Sequence, residues 1–179
     1  MTRRTVLALA GREHERILEA SSFDGLPADW SPLRLLAEQA ARVADVPATA
    51  INLITATVQR SLVMVGGDAT FVARRDSMCG SIIGERSPIH VEDASHDPRW
   101  ASKPFVDGRW GTIRFYGSHP LVSSRGFVIG TLCVIDRRPR KLEKSQLVEL
   151  DALAAQVVHE LERWRRSSAL ATDPMASAL

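Results

Sequence analysis

The residues best equipped for chemistry in this 179-residue chain are two cysteines, five histidines and a loop that interleaves arginines with aromatics. Cys79 follows Asp76-Ser77-Met78, where either Asp76 or Ser77 can cap a short helix running through Met78, Cys79, Ile82 and Ile83. The thiol then falls in the first helical turn, where unpaired N–H groups and the positive end of the helix dipole favour a thiolate. Arg74 and Arg75 would add to that effect and Asp76 would oppose it. A redox or covalent-adduct role suits such a thiol; the same residue also reads as a small apolar filler in a core. Cys133 lies on a strand face with Phe127, Ile129, Thr131 and Ile135, which reads as core packing. Any thiol pair would have to be Cys79 with Cys133, because no other cysteine is present. Neither sits in a paired metal or redox spacing. His90 and His96 flank Val91-Glu92-Asp93 in no metal-binding arrangement, and His14 and His159 fall on helices. No metal ligand and no catalytic residue is assigned.

The stretch from Asp93 to Tyr116 offers recognition rather than catalysis. Trp100, Phe105 and Trp110 supply flat apolar surface, and Arg99, Arg109 and Arg114 can pair with a carboxylate or phosphate. It is expected to form a lid and pocket wall; a self-packed loop with Arg stacked over Trp is the alternative. Candidate pocket residues are Cys79, Ile83 and Asp93, then Arg99, Trp100 and Phe105, then Trp110, Phe115 and Tyr116. Asp93 is expected to end a strand and Asp97 to cap a helix begun by Pro98. No Gly-Lys-Ser/Thr loop supports nucleotide hydrolysis. The basic run Arg137-Arg138-Pro139-Arg140-Lys141 reads as a solvated turn. With 23 basic and 21 acidic side chains the net charge is +2, too small for a global nucleic-acid field, and no nucleic-acid partner is expected.

The elements that must hold these residues follow from periodicity. A first helix is predicted from Val6 to about Ala20, with Leu7, Ala10, His14 and Ile17 on one stripe, broken by Gly25, Pro27 and Asp29. Ser31 as cap and Pro32 at the first position open a second helix, whose face is Leu33, Leu36, Ala37, Ala40 and Ala44 and which Pro47 ends. Strands are predicted at Ala48–Thr55, Leu62–Val65, Ile89–Glu92, Ile113–Tyr116 and, after a turn at Ser123–Gly126, Phe127–Asp136. The last strand is apolar on both faces and belongs in the middle of a sheet covered on both sides. A final helix runs from about Glu143 to Arg166. Its residues Leu147, Leu150, Ala154, Val157, Leu161 and Trp164 are spaced alternately by three and four, a coiled-coil seam that predicts a homodimer interface. Leu153 and Val158 widen the stripe enough to cover a sheet as well.

The organisation is therefore an N-terminal helix and linker over 1–30, one domain over 31–166 and a frayed tail over 167–179. No apolar run approaches the roughly 18 residues of a membrane span. The short apolar run after Arg3-Arg4 stops at Gly11, short of a signal core. A reduced, cytoplasmic protein with no membrane partner is expected.

Six blocks occur in one order: Asp76-Ser77-Met78-Cys79, Val91-Glu92-Asp93-Ala94, Asp97-Pro98-Arg99-Trp100, Arg114-Phe115-Tyr116-Gly117, His119-Pro120-Leu121 and Gly130-Thr131-Leu132-Cys133-Val134-Ile135-Asp136. Through them the chain, over about Pro32 to Arg165, resembles the GAF domain family of small-molecule sensors. The resemblance implies an α+β fold: a central, mostly antiparallel sheet of about five or six strands. N- and C-terminal helices would cover one face, and short helices and loops would enclose a pocket on the other. It implies a regulatory, sensory or signalling module that binds a small molecule of unknown identity. The signal would pass through a homodimer or a separate kinase, cyclase or transcription regulator, since the chain ends soon after the last helix. No cofactor is assigned. Members that attach a bilin generally pair a Cys with a neighbouring His, whereas Gly80-Ser81 follow Cys79 here. The Asn-Lys-Phe-Asp-Glu signature of cyclic-GMP-binding members is absent, and Asn52 is the only Asn. By resemblance His90 or His96 could ligate a haem. Two other readings are a ligand-free dimerisation domain and a Cys79-based redox sensor or methionine-sulfoxide-reductase-like enzyme.

Overall fold

A computed structural model describes residues 3–25 and 30–171. Six antiparallel strands form one sheet in the order β3-β2-β1-β6-β5-β4. They are β1 (Ala48–Ile54), β2 (Val58–Val65), β3 (Phe71–Ala73), β4 (Ile89–Val91), β5 (Phe115–Val122) and β6 (Val128–Asp136). Helices α1 (Arg3–Ser21), α2 (Ser31–Ala44) and α4 (Lys144–Ala171) pack on one face. The other face carries α3 (Met78–Ser81), a 3-10 turn (Ala94–His96) and the loop leading to β5.

Alternation along the strands divides the core in two. Thr49, Ile51 and Leu53 of β1 face the helices, and the Thr49 hydroxyl donates to the Ala37 carbonyl at 2.8 Å. The intervening Ala50, Asn52 and Ile54 face α3 and the loops. Strand β6 lies between β1 and β5, the central place that its two apolar faces demanded. One bulge modifies its parity. Leu121 pairs with Gly130 and Val122 with Val128, so Ile129 is an extra residue on β6. Ile129 consequently enters the helix-side core, and Cys133 shares its face with Thr131 and Ile135 but not with Ile129. Gly130 is needed because β6 passes close against β1 there: a Cβ would lie 1.9 Å from the Asn52 backbone carbonyl oxygen.

Several expectations need correction. The α4 seam is closed inside one chain: Leu150, Ala154, Val157, Leu161 and Trp164 are buried against α2 and the sheet, and Leu147 is half-buried. A six-stranded sheet leaves an apolar face that one wide stripe covers, so the alternate spacing here reports sheet cover and not a surface left free for a second chain. Trp164 meets the Trp30 ring edge-on at 5.4 Å between centroids.

Helix α1 buries a different stripe from the one predicted. Ala10 and His14 are exposed, while Arg16, Glu19 and Ala20 are buried. The Arg16 guanidinium donates to the carbonyls of Ile54 at 2.8 Å and Val128 at 3.3 Å, tying α1 to the ends of β1 and β6. Glu19 accepts from Arg125 at 2.9 Å and Arg165 at 3.1 Å. The predicted stripe's Leu7 side chain and the linker residues Pro27 and Asp29 lie outside the described residues.

At the C-terminal end, α4 continues to Ala171, so residues 167–171 are helical where a tail was expected; 172–179 lie outside the described residues. No helix follows Pro98; Asp97 instead heads a turn whose carbonyl accepts from Trp100 and Ala101. Strand β5 starts at Phe115 and runs on through Pro120, because β4 pairs only as far as Ser118 and Pro120 needs no donor on that side.

Candidate functional site

Small side chains on β1 leave room on the face away from the long helices. Ala48, Ala50 and Asn52 form part of one wall of a cavity of about 940 Å³; Gln59 and Ser61 of β2 and Cys133 and Ile135 of β6 continue it. Met78 and Cys79 of α3, Tyr116 of β5 and the segment Trp110–Ile113 with Phe105 close the other sides. Phe105 and Trp110 stack edge-on at 5.4 Å, and Trp110 is half in solvent.

Helix α3 is held by its cap. The Ser77 hydroxyl accepts from the Gly80 N–H at 2.8 Å and donates to the Gln59 side-chain carbonyl, anchoring the helix to β2. Gly80 allows the chain to pass close to the Arg74 carbonyl, which a Cβ would meet at 2.3 Å. Cys79 thereby points at the sheet, with its Sγ 3.2 Å from that of Cys133. The Tyr116 hydroxyl donates to the Cys79 sulfur at 3.0 Å, and Asn52 Nδ2 lies 3.6 Å from both sulfurs. Thr131 Oγ1 is 3.2 Å from Cys133. The Asn52 side-chain oxygen Oδ1 itself accepts from the Ser61 hydroxyl at 2.8 Å, and that hydroxyl meets Thr70 at 2.9 Å.

These partners separate the two thiols electrostatically. The hydrogen bond with Cys133, aided by Thr131 and Tyr116, outweighs burial and lowers Cys79 to about 7. Burial pushes Cys133 well above the usual thiol range, and burial also raises Tyr116. The arrangement favours a thiolate on Cys79 with a neutral thiol and phenol beside it.

At the mouth, Asp136 accepts from the Arg138 backbone N–H at 3.0 Å and from Arg140 Nε, and Arg140 also reaches Asp45 at 3.0 Å. Burial opposes ionisation of Asp136, but those donors prevail and hold its carboxyl below the usual range. Arg137 and Arg138 line the cavity with exposed side chains that make no hydrogen bond or ion pair among the described residues.

Of the residues singled out in the sequence, Cys79, Phe105, Trp110 and Tyr116 line this cavity. Trp100 and Ile83 are buried in the cluster behind it; Trp100 stacks on Tyr116 at 5.3 Å and directs its N–H at the Met78 carbonyl, 3.4 Å away. Asp93 caps the 3-10 turn through Ser95, and its carboxyl is held low by that hydroxyl. Arg99 is exposed, paired with Asp97 at 2.7 Å and stacked over Trp100 at 4.3 Å. Arg109 pairs with Asp107, and Arg114 bonds the Val106 carbonyl. The arginines of this loop are thus used within the loop, the self-packed alternative. Phe115 lies in the helix-side core, since adjacent strand residues point to opposite faces and Tyr116 points to the cavity.

Neither histidine considered for haem lines the cavity. His90 Nε2 meets His119 Nε2 at 3.0 Å, His119 Nδ1 meets Asp151 of α4 at 2.7 Å, and His96 is exposed beside Asp93. No group of three or more His, Cys, Asp or Glu side chains among the described residues could hold a metal ion. No helix among them is long and apolar enough to cross a membrane.

Sequence reading missed Asn52, Gln59, Ser61, Arg137 and Arg138. A signal was present for Asn52, a lone amide inside the apolar run Ile51–Ile54 that must find a polar partner; Gln59 and Ser61 flank Arg60 in a run of three polar residues that marks no single face.

The sequence profile of the GAF domain matches residues 32–161. A cyclic di-GMP phosphodiesterase of Pseudomonas aeruginosa is 33% identical over 125 residues, which is 69% of this chain and 21% of that protein. The chain thus spans about a fifth of that relative's length. Among solved structures, the GAF domain of a phosphoenolpyruvate-protein phosphotransferase from Coxiella burnetii superposes with a TM-score of 0.67 at 13% identity, covering 89% of this chain and 98% of that one. A domain of a two-component sensor histidine kinase protein, described as putative, from Sinorhizobium meliloti gives 0.60 at 19% identity over 79% and 97%. A free methionine-R-sulfoxide reductase from Thermoplasma acidophilum gives 0.61 at 11% identity over 75% and 92%. At these identities the structural likenesses establish the fold alone.

Proposed function

The chain belongs to the GAF domain family, and from that premise we propose that it is a non-catalytic sensory module that admits a small organic anion to the cavity between α3 and the sheet. The carrying observation is the pairing of a 940 Å³ cavity with two uncommitted arginines, Arg137 and Arg138, at its mouth. That volume lies within the ~300–1,000 Å³ of small-molecule sites, and apolar walls with a few convergent polar groups are their usual lining. Asn52, Gln59, Ser61 and Thr70 provide those groups inside, and the arginines suit a carboxylate or phosphate at the entrance. The proposed route for the signal is from α3 and the central strands to the helical layer. Leu9 and Leu18 of α1, Leu35 of α2 and Val148 of α4 remain exposed there for a second copy of the chain.

The test is a native mass spectrum of the purified chain, followed by the Ala48→Trp variant, which fills the cavity from half-buried Ala48 at the start of β1. A mass that accompanies the protein, is lost on denaturation and is missing from Ala48→Trp supports the reading. Arg137→Ala/Arg138→Ala should weaken retention of the same mass by at least ten-fold. A mass retained equally by all three proteins would overturn it. Light scattering reads the second element separately, with a monomer at tens of micromolar refuting the paired form.

A further inference from the structure

Cys79 and Cys133 stand 54 residues apart in sequence, on a four-residue helix and on a central strand, yet their sulfurs are 3.2 Å apart. Closing that gap to the ~2.05 Å of a disulfide needs a movement of about 1 Å. Strand β6 is hydrogen-bonded along both edges, whereas α3 is a single turn held by its Ser77 cap, the Trp100 N–H at the Met78 carbonyl and the packing of Met78, so Cys79 is the partner with fewer backbone restraints. Both thiols are buried, but both face the cavity, which gives a small solute a path to them.

We propose that Cys79 and Cys133 are a peroxide-oxidisable dithiol, with Cys79 as the attacking and Cys133 as the resolving sulfur. In the first step the Cys79 thiolate takes one oxygen from a hydroperoxide. The O–O bond breaks, a sulfenic acid forms, and the other oxygen leaves as hydroxide, or as an alkoxide from an organic hydroperoxide, and takes from solvent the proton that Cys79 released on ionising, ending as water or an alcohol. In the second step the Cys133 sulfur displaces hydroxide from the Cys79 sulfur. The S–S bond forms, the S–O bond breaks, and the Cys133 proton leaves with the hydroxide as water. Two thiols have then given up two electrons and two protons to one peroxide.

The division of roles follows from what surrounds each sulfur. The Tyr116 hydroxyl donates to Cys79 at 3.0 Å and lies 3.7 Å from Cys133, so it steadies a thiolate at Cys79 first; the Asn52 amide, 3.6 Å from each sulfur, serves both. Its pKa of about 7 agrees with that geometry, while buried Cys133 keeps its proton until the second step. The titratable groups that face Cys79 are Cys133 and Tyr116; the charged groups on the same cavity are Asp45, Asp136 and the arginines 137, 138 and 140. The reaction uses the cavity only as an access path and does not require that an organic anion bind there.

The test treats the reduced, desalted chain with equimolar hydrogen peroxide, quenches in acid, alkylates in denaturant and digests with trypsin. Cleavage at arginine isolates Cys79 in Asp76–Arg86 and Cys133 in Gly126–Arg137. The expected product is those two peptides linked, with the intact chain lighter by two hydrogens and dithiothreitol restoring both thiols. In Cys133→Ser, Cys79 should give a sulfenic acid that dimedone traps; in Cys79→Ser, Cys133 should stay reduced. Methionine sulfoxide accumulating while both thiols remain alkylatable would overturn the proposal. So would over-oxidised Cys79 beside a free Cys133 in the unsubstituted chain, or oxidation of Cys133 at the unsubstituted rate in Cys79→Ser. The unsubstituted chain carries the decisive product, so a variant that fails to fold does not remove the test. A native mass spectrum without a bound mass would count against the anion reading and leave this result unchanged.

Discussion

Replacing Arg16 with Met should detach α1 from the sheet energetically while keeping most of the side chain's aliphatic length. Arg16 is only 5% exposed, and one guanidinium nitrogen donates to the carbonyls of Ile54 at 2.8 Å and Val128 at 3.3 Å. A hydrogen bond from a charged donor contributes ~1.5–3 kcal/mol, and an acceptor left buried without a partner costs ~1–3 kcal/mol. The longer contact to the Thr55 carbonyl, 3.4 Å, sits where water can replace it and adds little. Glu13 keeps Arg74 at 2.6 Å, so its carboxylate is not stranded by the change. The net loss for Arg16→Met is roughly 3–5 kcal/mol, a large share of the ~5–15 kcal/mol that holds a domain folded. In a chain of this size that lowers Tm by roughly 6–20 °C. Urea unfolding followed by circular dichroism measures it directly, and Arg16→Lys should recover about half, since one ammonium can serve one of the two carbonyls. A loss below ~0.5 kcal/mol for Arg16→Met, or no recovery with Lys, would refute the claim that this guanidinium fastens α1.

Three further outcomes follow from particular contacts. Gly130→Ala places a Cβ 1.9 Å from the Asn52 carbonyl oxygen, where two central strands must part; the expected cost is ~3 kcal/mol or more, read by urea unfolding or by loss of soluble yield. Trp100→Ala empties a fully buried site that backs the Tyr116 ring; it should cost ~3–5 kcal/mol in the same assay, and a change under ~1 kcal/mol would show that the loop does not rest on that indole. Burial first, and then the neighbouring His119, lower His90 to about 4 against the 6.5 of an unperturbed imidazole, while Asp151 pulls the other way. Between those two values the unfolded chain binds more protons than the folded one, so stability falls as pH drops from 6.5 towards 4. Tm recorded across that window should decline less steeply in His90→Gln, and parallel curves would exclude this imidazole as the cause.

How much of this was legible beforehand depends on whether local pattern or long-range contact decides a feature. Phe127–Asp136 is apolar at every other position on both faces, and such a run can only be satisfied by cover on two sides, so its central place was readable. The six ordered blocks located the sheet, the short α3 and the loop before β5 for the same local reason: turn, cap and strand chemistry repeats with the residues that make it. The stripe on α4 was equally visible, but a stripe states that a face must be buried and not what buries it. The sheet claimed it, and Leu150, Val157 and Leu161 are spent within one chain. Strand parity at Ile129 could not be read, because a bulge is one extra residue that shows only once β5 is paired with β6. The α1 stripe failed because Arg16 and Glu19 are buried by partners on β1, β6, the β5–β6 turn and α4, far along the chain.

The site divides along the same line. Sequence by itself determined that Cys79 would sit in a capped turn and Tyr116 on a strand beside an aromatic loop, since both depend on neighbours within a few residues. Only the tertiary structure decided that Cys79 meets Cys133, that Asn52 donates to both, and that the arginines at the mouth with no side-chain partner among the described residues are Arg137 and Arg138 and not those of the loop. Those are contacts between segments that strand order and the fold-back of α3 bring together, and no local periodicity encodes which distant residue fills the facing position.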